Sequence, residues 1–318
     1  MTMCNTDSNQ PLPIHEPIDV ALIEPELTSD RLLRHTNRGG NEIYIFKGDE
    51  APNTMKELGR LREEAFRFHG GGTGKTLDID EYDLGEHAYY QLIVWDPIDK
   101  AIIGGYRFKH GSEVEMDESG QPRLATADMF HFSDNFVKDY LPYTVELGRS
   151  FVTLAYQSTA KGAKAIFALD NLWDGIGALT ITLPNLKYFY GKVTMYPQYD
   201  RRARNLILFF LKKHFEDKEG LIRPIEPLKI DLSESDAKDI FSSDSIKDDF
   251  KELNRIIRAI GITIPPLINA YMGLSPEMKV FGTAVNHSFG EVEETGIFIA
   301  IDKILEEKKK RHIESYKK

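Results

Sequence analysis

Glu146-Leu-Gly-Arg-Ser-Phe-Val152 continues through Thr153-Leu-Ala-Tyr-Gln157 into Ser-Thr-Ala-Lys-Gly162, and this stretch decides how the chain is read. Thr144 to Leu154 is mostly apolar and β-branched, which predicts a strand. Glu146 and Arg149 sit inside it, and a charge inside an apolar strand is costly unless paired. Regular alternation puts the two on opposite faces. A β-bulge at Gly148 would bring them to one side, splay the sheet and free backbone N–H groups. Gln157 to Gly162 then leads into a helix over Ala163 to Leu179.

Working outward, Met55, Leu58, Leu61, Phe66 and Phe68 recur at helical spacing, so Met55 to Phe68 reads as a helix. His69-Gly-Gly-Gly-Thr-Gly-Lys-Thr76 breaks it and reads as a mobile glycine hinge. Tyr89 to Trp95 and Ala101 to Phe108 read as strands joined by the turn Asp96-Pro-Ile-Asp-Lys100. Downstream, Asn185 to Tyr196 is strand-like, Arg201 to Phe215 and Asp248 to Ile260 are helical, and Lys279 to Ala284 and Gly296 to Ile301 are short strands. Residues 1–30 read as an arm, 31–302 as a single domain with a charged surface excursion at 217–250, and 303–318 as a charged tail that frays. Strands interleaved with helices predict an α/β or α+β domain.

The 318 residues carry 50 acidic against 40 basic side chains, a formal charge of −10. That balance argues against a general nucleic-acid binder, which needs a basic stripe. The longest solid apolar run, Leu206 to Leu211, is far too short to span a bilayer. No export signal is read at the start. The single cysteine, Cys4, excludes a disulfide framework and a thiolate cluster. No His pair stands at ligand spacing, so no metal is expected. The expectation is a cytoplasmic enzyme.

One motif is a decoy. His69 to Thr76 lies one residue from the phosphate-cradling pattern G-x-x-x-x-G-K-[ST]. That pattern needs a strand before it and a helix after it, so that N–H groups converge on the phosphates. Here a helix precedes, and the acidic Leu77-Asp-Ile-Asp-Glu-Tyr-Asp83 follows. Nucleotide hydrolysis is not expected.

The remaining charges form a series. Arg62 and Phe66 share one helical face. Asp78, Asp80 and Asp83 follow the glycine loop, and Arg107 ends a strand in Gly104-Gly-Tyr-Arg-Phe108. Singly, each reads as scaffold, the charges pairing with one another. In this order, L-R-x-x-x-F, D-x-x-D, a strand-ending Arg and E-L-x-R resemble the acyl-homoserine-lactone synthases of the GCN5-related N-acyltransferase (GNAT) superfamily. Glu146 to Val152, Leu172-Trp-Asp-Gly-Ile-Gly177, Tyr188-Phe-Tyr-Gly-Lys-Val193 and Pro266-Leu-Ile-Asn-Ala-Tyr271 resemble a nearer branch, the bacterial ornithine-lipid and glycine-lipid N-acyltransferases, sometimes labelled hemolysin-like. The resemblance covers residues 40 to 302 apart from the excursion.

The resemblance implies an α/β (α+β sandwich) GNAT fold, with a mostly antiparallel, splayed central sheet flanked by helices. It implies transfer of a long-chain 3-hydroxyacyl group from acyl carrier protein, or from coenzyme A, to the amine of glycine or ornithine. Alternatives are an acetyl-CoA-dependent acetyltransferase of small amines and a non-catalytic module binding acyl carrier or membrane. No permanently bound cofactor is implied; the acyl-phosphopantetheine thioester is a co-substrate. Amide formation needs a neutral amine, and Glu146 is the candidate base, with Arg149 beside it; the alternative is that Glu146 merely pairs with Arg149 or Arg107. The family's Q/R-x-x-G-x-G/A phosphate loop falls on Gln157, Lys161 and Gly162, with Ala160 in place of a glycine. Arg62, Asp80, Asp83 and Arg107 are expected as an ion-pair cluster ordering the N-terminal half, with Phe66 beside it. Phe130, Phe132, Trp173 and Tyr190 are candidate walls of an acyl tunnel, or ordinary core. Arg201, Arg202, Arg204, Lys212, Lys213 and His214 offer a basic patch for the acidic carrier protein, or a solvated helix face. The Leu206 to Leu211 run beside it would allow transient membrane contact at the inner face, or is core. Asn286 stands where an acidic residue is expected.

Overall fold

The computed structural model describes residues 10–157, 163–232, 237 and 239–316. In chain order the strands are β1 Leu32–His35, β2 Glu42–Lys47, β3 Tyr90–Asp96, β4 Ala101–His110, β5 Phe130–Phe132, β6 Thr144–Val152, β7 Tyr188–Met195, β8 Ile222–Pro224, β9 Lys279–Asn286 and β10 Val292–Ala300. The helices are α1 Val20–Ile23, α2 Pro52–Phe68, α3 Leu154–Gln157, α4 Ala163–Thr182, α5 Arg201–Phe215, α6 Ile246–Ala259, α7 Pro266–Met272 and α8 Glu306–His312. Among them is a large, mostly antiparallel sheet flanked by helices, as expected. The chain divides into two compact units, Met1–Tyr106 with Arg149–Leu172 and His287–Gly290, and Arg107–Gly148 with Trp173–Asn286 and Glu291–Lys318.

In the first unit the strand order is β1-β2-β3-β4, followed by the end of β6. Glu42 to Lys47 pair antiparallel with Trp95 to Tyr90. Close approach sets one residue type: a Cβ on Gly104 would lie 2.4 Å from the carbonyl oxygen of Phe151, so only glycine fits. Helix α2 buries Met55, Leu58, Ala65 and Phe66. Its N-terminus is capped from far upstream: Glu26 accepts from the backbone N–H groups of Asn53 (3.0 Å) and Thr54 (2.7 Å), satisfying donors that a helix start leaves orphaned. Two features depart from the apolar pattern. Phe68 is 71% exposed, while Arg62 and Glu63 are fully buried. Both buried charges have partners, described below.

In the second unit β7 pairs antiparallel with β10 from Tyr188↔Ala300 to Met195↔Glu293, and β10 pairs with β9. One face packs Val193, Met195, Ile297 and Ile299 against Leu206, Ile207 and Phe210 of α5 and Ile257 of α6. The other face carries Phe130, Phe132, Phe136, Tyr190, Phe281 and Phe298. Each fully buried large side chain contributes about 1.5–3 kcal/mol of transfer free energy. The region read as a surface excursion sends Ile222 and Phe241 into these cores, and β8 pairs with β5. The charged tail also docks: His312 bonds Asp174 of α4 at 2.8 Å, both buried.

Candidate functional site

Strand β6 is regular through Leu147. Thr144 to Leu147 pair in parallel with Tyr188 to Gly191, which places Glu146 level with Tyr190. The register stops there, and two residues on, Arg149 has φ +49°. The predicted interruption is real, but the left-handed residue is Arg149 rather than the glycine before it. That conformation costs a non-glycine residue about 1–2 kcal/mol. In the first unit, Arg149 is held by an ion pair with Asp78 at 2.9 Å, a second with Asp80 at 3.3 Å, and the ring of Phe289, 4.3 Å beneath its guanidinium. Phe66 meets the same Phe289 edge-on at 5.1 Å and Phe151 at 6.3 Å.

Of the ion-pair cluster expected of Arg62, Asp80, Asp83 and Arg107, the Arg62–Asp83 pair is seen directly. Arg62 pairs with Asp83 at 2.9 Å and donates to Gln91, all fully buried. Asp83 also accepts from the Asp80 backbone at 3.1 Å, so one carboxylate ties the Arg62 centre to the Arg149 centre. Arg107 belongs to the second unit, where its stem lies along Gly148: a Cβ there would sit 3.6 Å from Arg107 Cγ. Asp80 itself pairs with Arg149 at 3.3 Å. Gln91 and Phe289 were not anticipated. The signal for Gln91 was present, a lone amide in the apolar strand Tyr90-Gln-Leu-Ile-Val-Trp95.

The glycine loop, expected to be mobile, is pinned. Gly70, Gly72 and Gly74 take φ of +89°, +94° and +73°, with non-left-handed residues between. Alternation of that kind turns N–H groups inward to make an anion cradle. The occupant is the carboxylate of Glu63, which accepts from Thr73 N (3.0 Å), Thr73 Oγ1 (2.8 Å) and Gly74 N (2.8 Å). Arg67 pairs with the same carboxylate at 2.6 Å. No phosphate is needed to explain the motif. At the loop's start, His69 Nε2 lies 2.9 Å from Gln157 Oε1. Gln157 Nε2 donates to the Val152 carbonyl at 2.7 Å, which leaves Oε1 as acceptor and assigns the His69 proton to Nε2. Lys161 and Gly162 lie outside the described residues.

Beside α3 is a cavity of about 220 Å³ lined by Ile23, Leu61, Trp95, Ile102, Leu154 and Tyr156 among others. The Tyr156 hydroxyl donates to Asp96 (3.1 Å) and Asp99 (3.2 Å), and burial with those two carboxylates holds the phenol far above its usual titration range. None of the Arg149 partners lines this cavity.

In the second unit, Glu146 is 2% exposed and accepts from Thr126 Oγ1 at 2.7 Å and from Ala125 N at 3.2 Å. Thr126 carries no sequence signal. Tyr190, beside Glu146, is fully buried, and burial first, then the field of Glu146, raises its phenol well above normal. Two residues further along β7, Lys192 pairs with Glu294 of β10. Asn286, where an acid was expected, donates to that Glu294 at 3.4 Å. Phe130 is core on the aromatic face, whereas Trp173 packs edge-on to Tyr271 at 5.9 Å on the α5 face. Of the four aromatics expected to wall a tunnel, Phe130, Phe132 and Tyr190 thus cluster on one face, and Trp173 lies apart from them.

The basic patch is also largely consumed. Arg204 pairs with Glu293 (3.3 Å), Lys213 and His214 with Asp249 (2.7 and 2.8 Å) and Arg201 with Asp231 (2.6 Å). Arg201, Arg202, Lys212 and Lys213 are nevertheless exposed. The Leu206 to Leu211 run is core, Phe209 partly so. Among the described residues, no helix is long and apolar enough to cross a membrane, and no three His, Cys, Asp or Glu side chains come together to hold a metal ion.

Residues 61–164 match the acetyltransferase (GNAT) domain family. A glycine N(alpha)-acyltransferase of Bacteroides thetaiotaomicron is 59% identical over 303 residues, covering 95% of this chain and 90% of the relative. One from Phocaeicola vulgatus is 59% identical over 302 residues, covering 95% and 93%. The chain belongs to the glycine N(alpha)-acyltransferase family. It is an N-acyltransferase. A solved CoA-dependent acyl-homoserine lactone synthase, with SAM and isopentyl-CoA, overlays 86% of this acyltransferase and 89% of itself at 10% identity and a TM-score of 0.36, too distant to carry an argument. The matched GNAT span takes in Arg62, the glycine loop, Asp78, Asp80, Asp83, Arg107, Glu146, Arg149 and Gln157; Trp173 falls outside it.

Proposed function

We propose that this acyltransferase moves a long-chain 3-hydroxyacyl group from acyl carrier protein to the amine of glycine, the first step of an amino-acid lipid. The observation that carries the acceptor is 59% identity, over nearly the whole chain, to relatives bearing that activity in their names. The local chemistry supports it. A buried carboxylate, Glu146, accepts from Thr126 and Ala125 one residue before β6 parts from β7.

In this reading Glu146 takes a proton from the glycine ammonium, directly or through one water. The freed amine attacks the thioester carbonyl, forming the C–N bond. Backbone N–H groups at the strand break stabilise the oxyanion. The C–S bond then breaks and the new amide nitrogen sheds its second proton; one of the two protons goes to sulfur, so that the carrier leaves as thiol, and the other to solvent. Arg149 acts as a positioning residue, fixing the break through Asp78 and Asp80. Gln157 opens the segment that receives the donor's phosphate, by resemblance to the superfamily. Acyl carrier protein places the reaction in the cytoplasm, and the lipid product would leave through the membrane surface.

The test is mass spectrometry of products from the purified protein with 3-hydroxyacyl carrier protein, or the matching acyl-CoA, and a mixture of glycine and ornithine. The expected product is N-(3-hydroxyacyl)glycine, formed faster from the carrier protein. An ornithine amide alone would reassign the acceptor. Faster turnover of the CoA thioester would reassign the donor. Both donors left intact would leave a binding module as the better reading.

A further inference from the structure

Resting on that reading, we propose that Lys192 binds the carboxylate of the acceptor amino acid, with Glu294 and Asn286 setting its direction. The argument starts from the pleat. Glu146 is level with Tyr190, and Lys192 is two residues further along β7, so all three side chains emerge on one face of the second unit's sheet. Glu294 is level with Thr194 and shares that face. The neighbours Val193 and Met195 point the other way, into the α5 core.

Lys192 is also the first residue of β7 past the end of its pairing with β6, since the last pair is Leu147↔Gly191. A cation thus stands where the two strands part, one step beyond the buried carboxylate. With two residues along the strand and one strand across, the Glu146 and Lys192 backbones are about 8 Å apart. An α-amino acid fits this interval. Its nitrogen and carboxylate are separated by a single carbon, so Glu146 would face the amine and Lys192 the carboxylate.

An ion pair on this aromatic face has no evident structural reason. Buried pairs contribute little net stability, and apolar residues of similar volume serve a core as well. The pair is built asymmetrically. The Glu294 side chain is 2% exposed, with Asn286 donating to one oxygen and Lys192 paired with the other. The Lys192 side chain is 12% exposed. An ammonium has three N–H donors, and Glu294 leaves donors to spare for a second carboxylate.

The experiment compares glycine with glycinamide, which keeps the amine and lacks the anionic carboxylate, using the full chain and 3-hydroxyacyl carrier protein. The quantity read is the ratio of kcat/KM for the two amines in each variant, which cancels their intrinsic reactivity. Wild type is expected to prefer glycine. Lys192→Met is expected to raise KM for glycine about 10- to 100-fold, leave glycinamide nearly unchanged and collapse the ratio, while Lys192→Arg keeps part of it. If Lys192→Met alone destabilises the fold by stranding Glu294, Lys192→Met/Glu294→Gln removes both charges and carries the same readout. A Lys192→Met enzyme that keeps the wild-type ratio overturns the proposal, as does a wild type with no preference. A wild type that acylates neither amine instead refutes transfer to an amino acid, and this assignment with it.

Discussion

The guanidinium of Arg149 meets the fully buried carboxylate of Asp78, 71 residues earlier, at 2.9 Å, and this contact holds a non-glycine residue left-handed inside β6. Arg149→Met removes one cation from the buried Asp78. Breaking such a pair costs about 3–5 kcal/mol. Urea unfolding is expected to show this loss for Arg149→Met, and a smaller one for Asp78→Asn/Arg149→Met. Equal losses in the single and double variants would mean that the pair is not what holds the strand.

Glu146→Gln keeps the shape and the acceptor geometry of one oxygen but removes the base. If Glu146 takes the amine proton, kcat falls about 100-fold or more. The thermal midpoint falls modestly, because Thr126 can still donate to the amide oxygen while the Ala125 N–H then faces the amide NH2. A kcat within twofold of wild type would remove Glu146 from the chemistry.

The C-terminal helix depends on one missing methyl group. A Cβ on Gly177 would lie 2.2 Å from the His312 carbonyl oxygen. Gly177→Ala therefore displaces the helix or strains α4, at about 1–3 kcal/mol. The same substitution in a chain ending at residue 305 should cost almost nothing. Thermal unfolding of the four combinations separates the two cases.

His110 supplies a pH prediction. Its Nδ1 lies 2.6 Å from Ser112 Oγ and accepts from Ser112 N at 3.2 Å, and burial lowers its titration below the usual 6.5. The unfolded chain therefore binds this proton more readily than the folded one. The sign follows: stability is unaffected above pH 6.5 and declines as pH falls from 6.5 to the depressed folded value. NMR titration of the His110 ring is expected to give a midpoint below 6.5, and His110→Asn is expected to flatten the acid slope of unfolding free energy. A midpoint at or above 6.5 would contradict the burial argument.

How far the sequence could be read depended on the range of each interaction. Helices α2 and α5 announced themselves by periodicity, and the tension between alternation and the charges of Glu146-Leu-Gly-Arg149 foretold a break in β6. The break was assigned to Gly148 on backbone freedom. It falls on Arg149 because side-chain partners from distant segments outweigh the local cost. The burial of Arg62 and Glu63 was illegible for the same reason, since a charge on an amphipathic helix reads as solvated until its partners are known. Glu26 capping α2 spans 27 residues, which no short-range signature reports. Short β1 escaped notice because Leu32-Leu-Arg-His35 is half polar. The basic run after Asp200 was legible as charge but not as a surface, because its acids, Asp231, Asp249 and Glu293, arrive from later in the chain.

The carboxylate of Glu63 seated in the glycine loop makes that loop a receptor carrying its own tethered ligand. Held by the chain at high effective concentration, this carboxylate outcompetes any free phosphate. The pattern of glycines thus records the shape of an anion site, and a residue outside the pattern decides whether the site is vacant. Glu63→Ala would vacate it, and sulfate or phosphate should then raise the thermal midpoint of the variant but not of the parent. By that expectation, a single side chain six residues before His69 decides whether the loop is open to an inorganic anion.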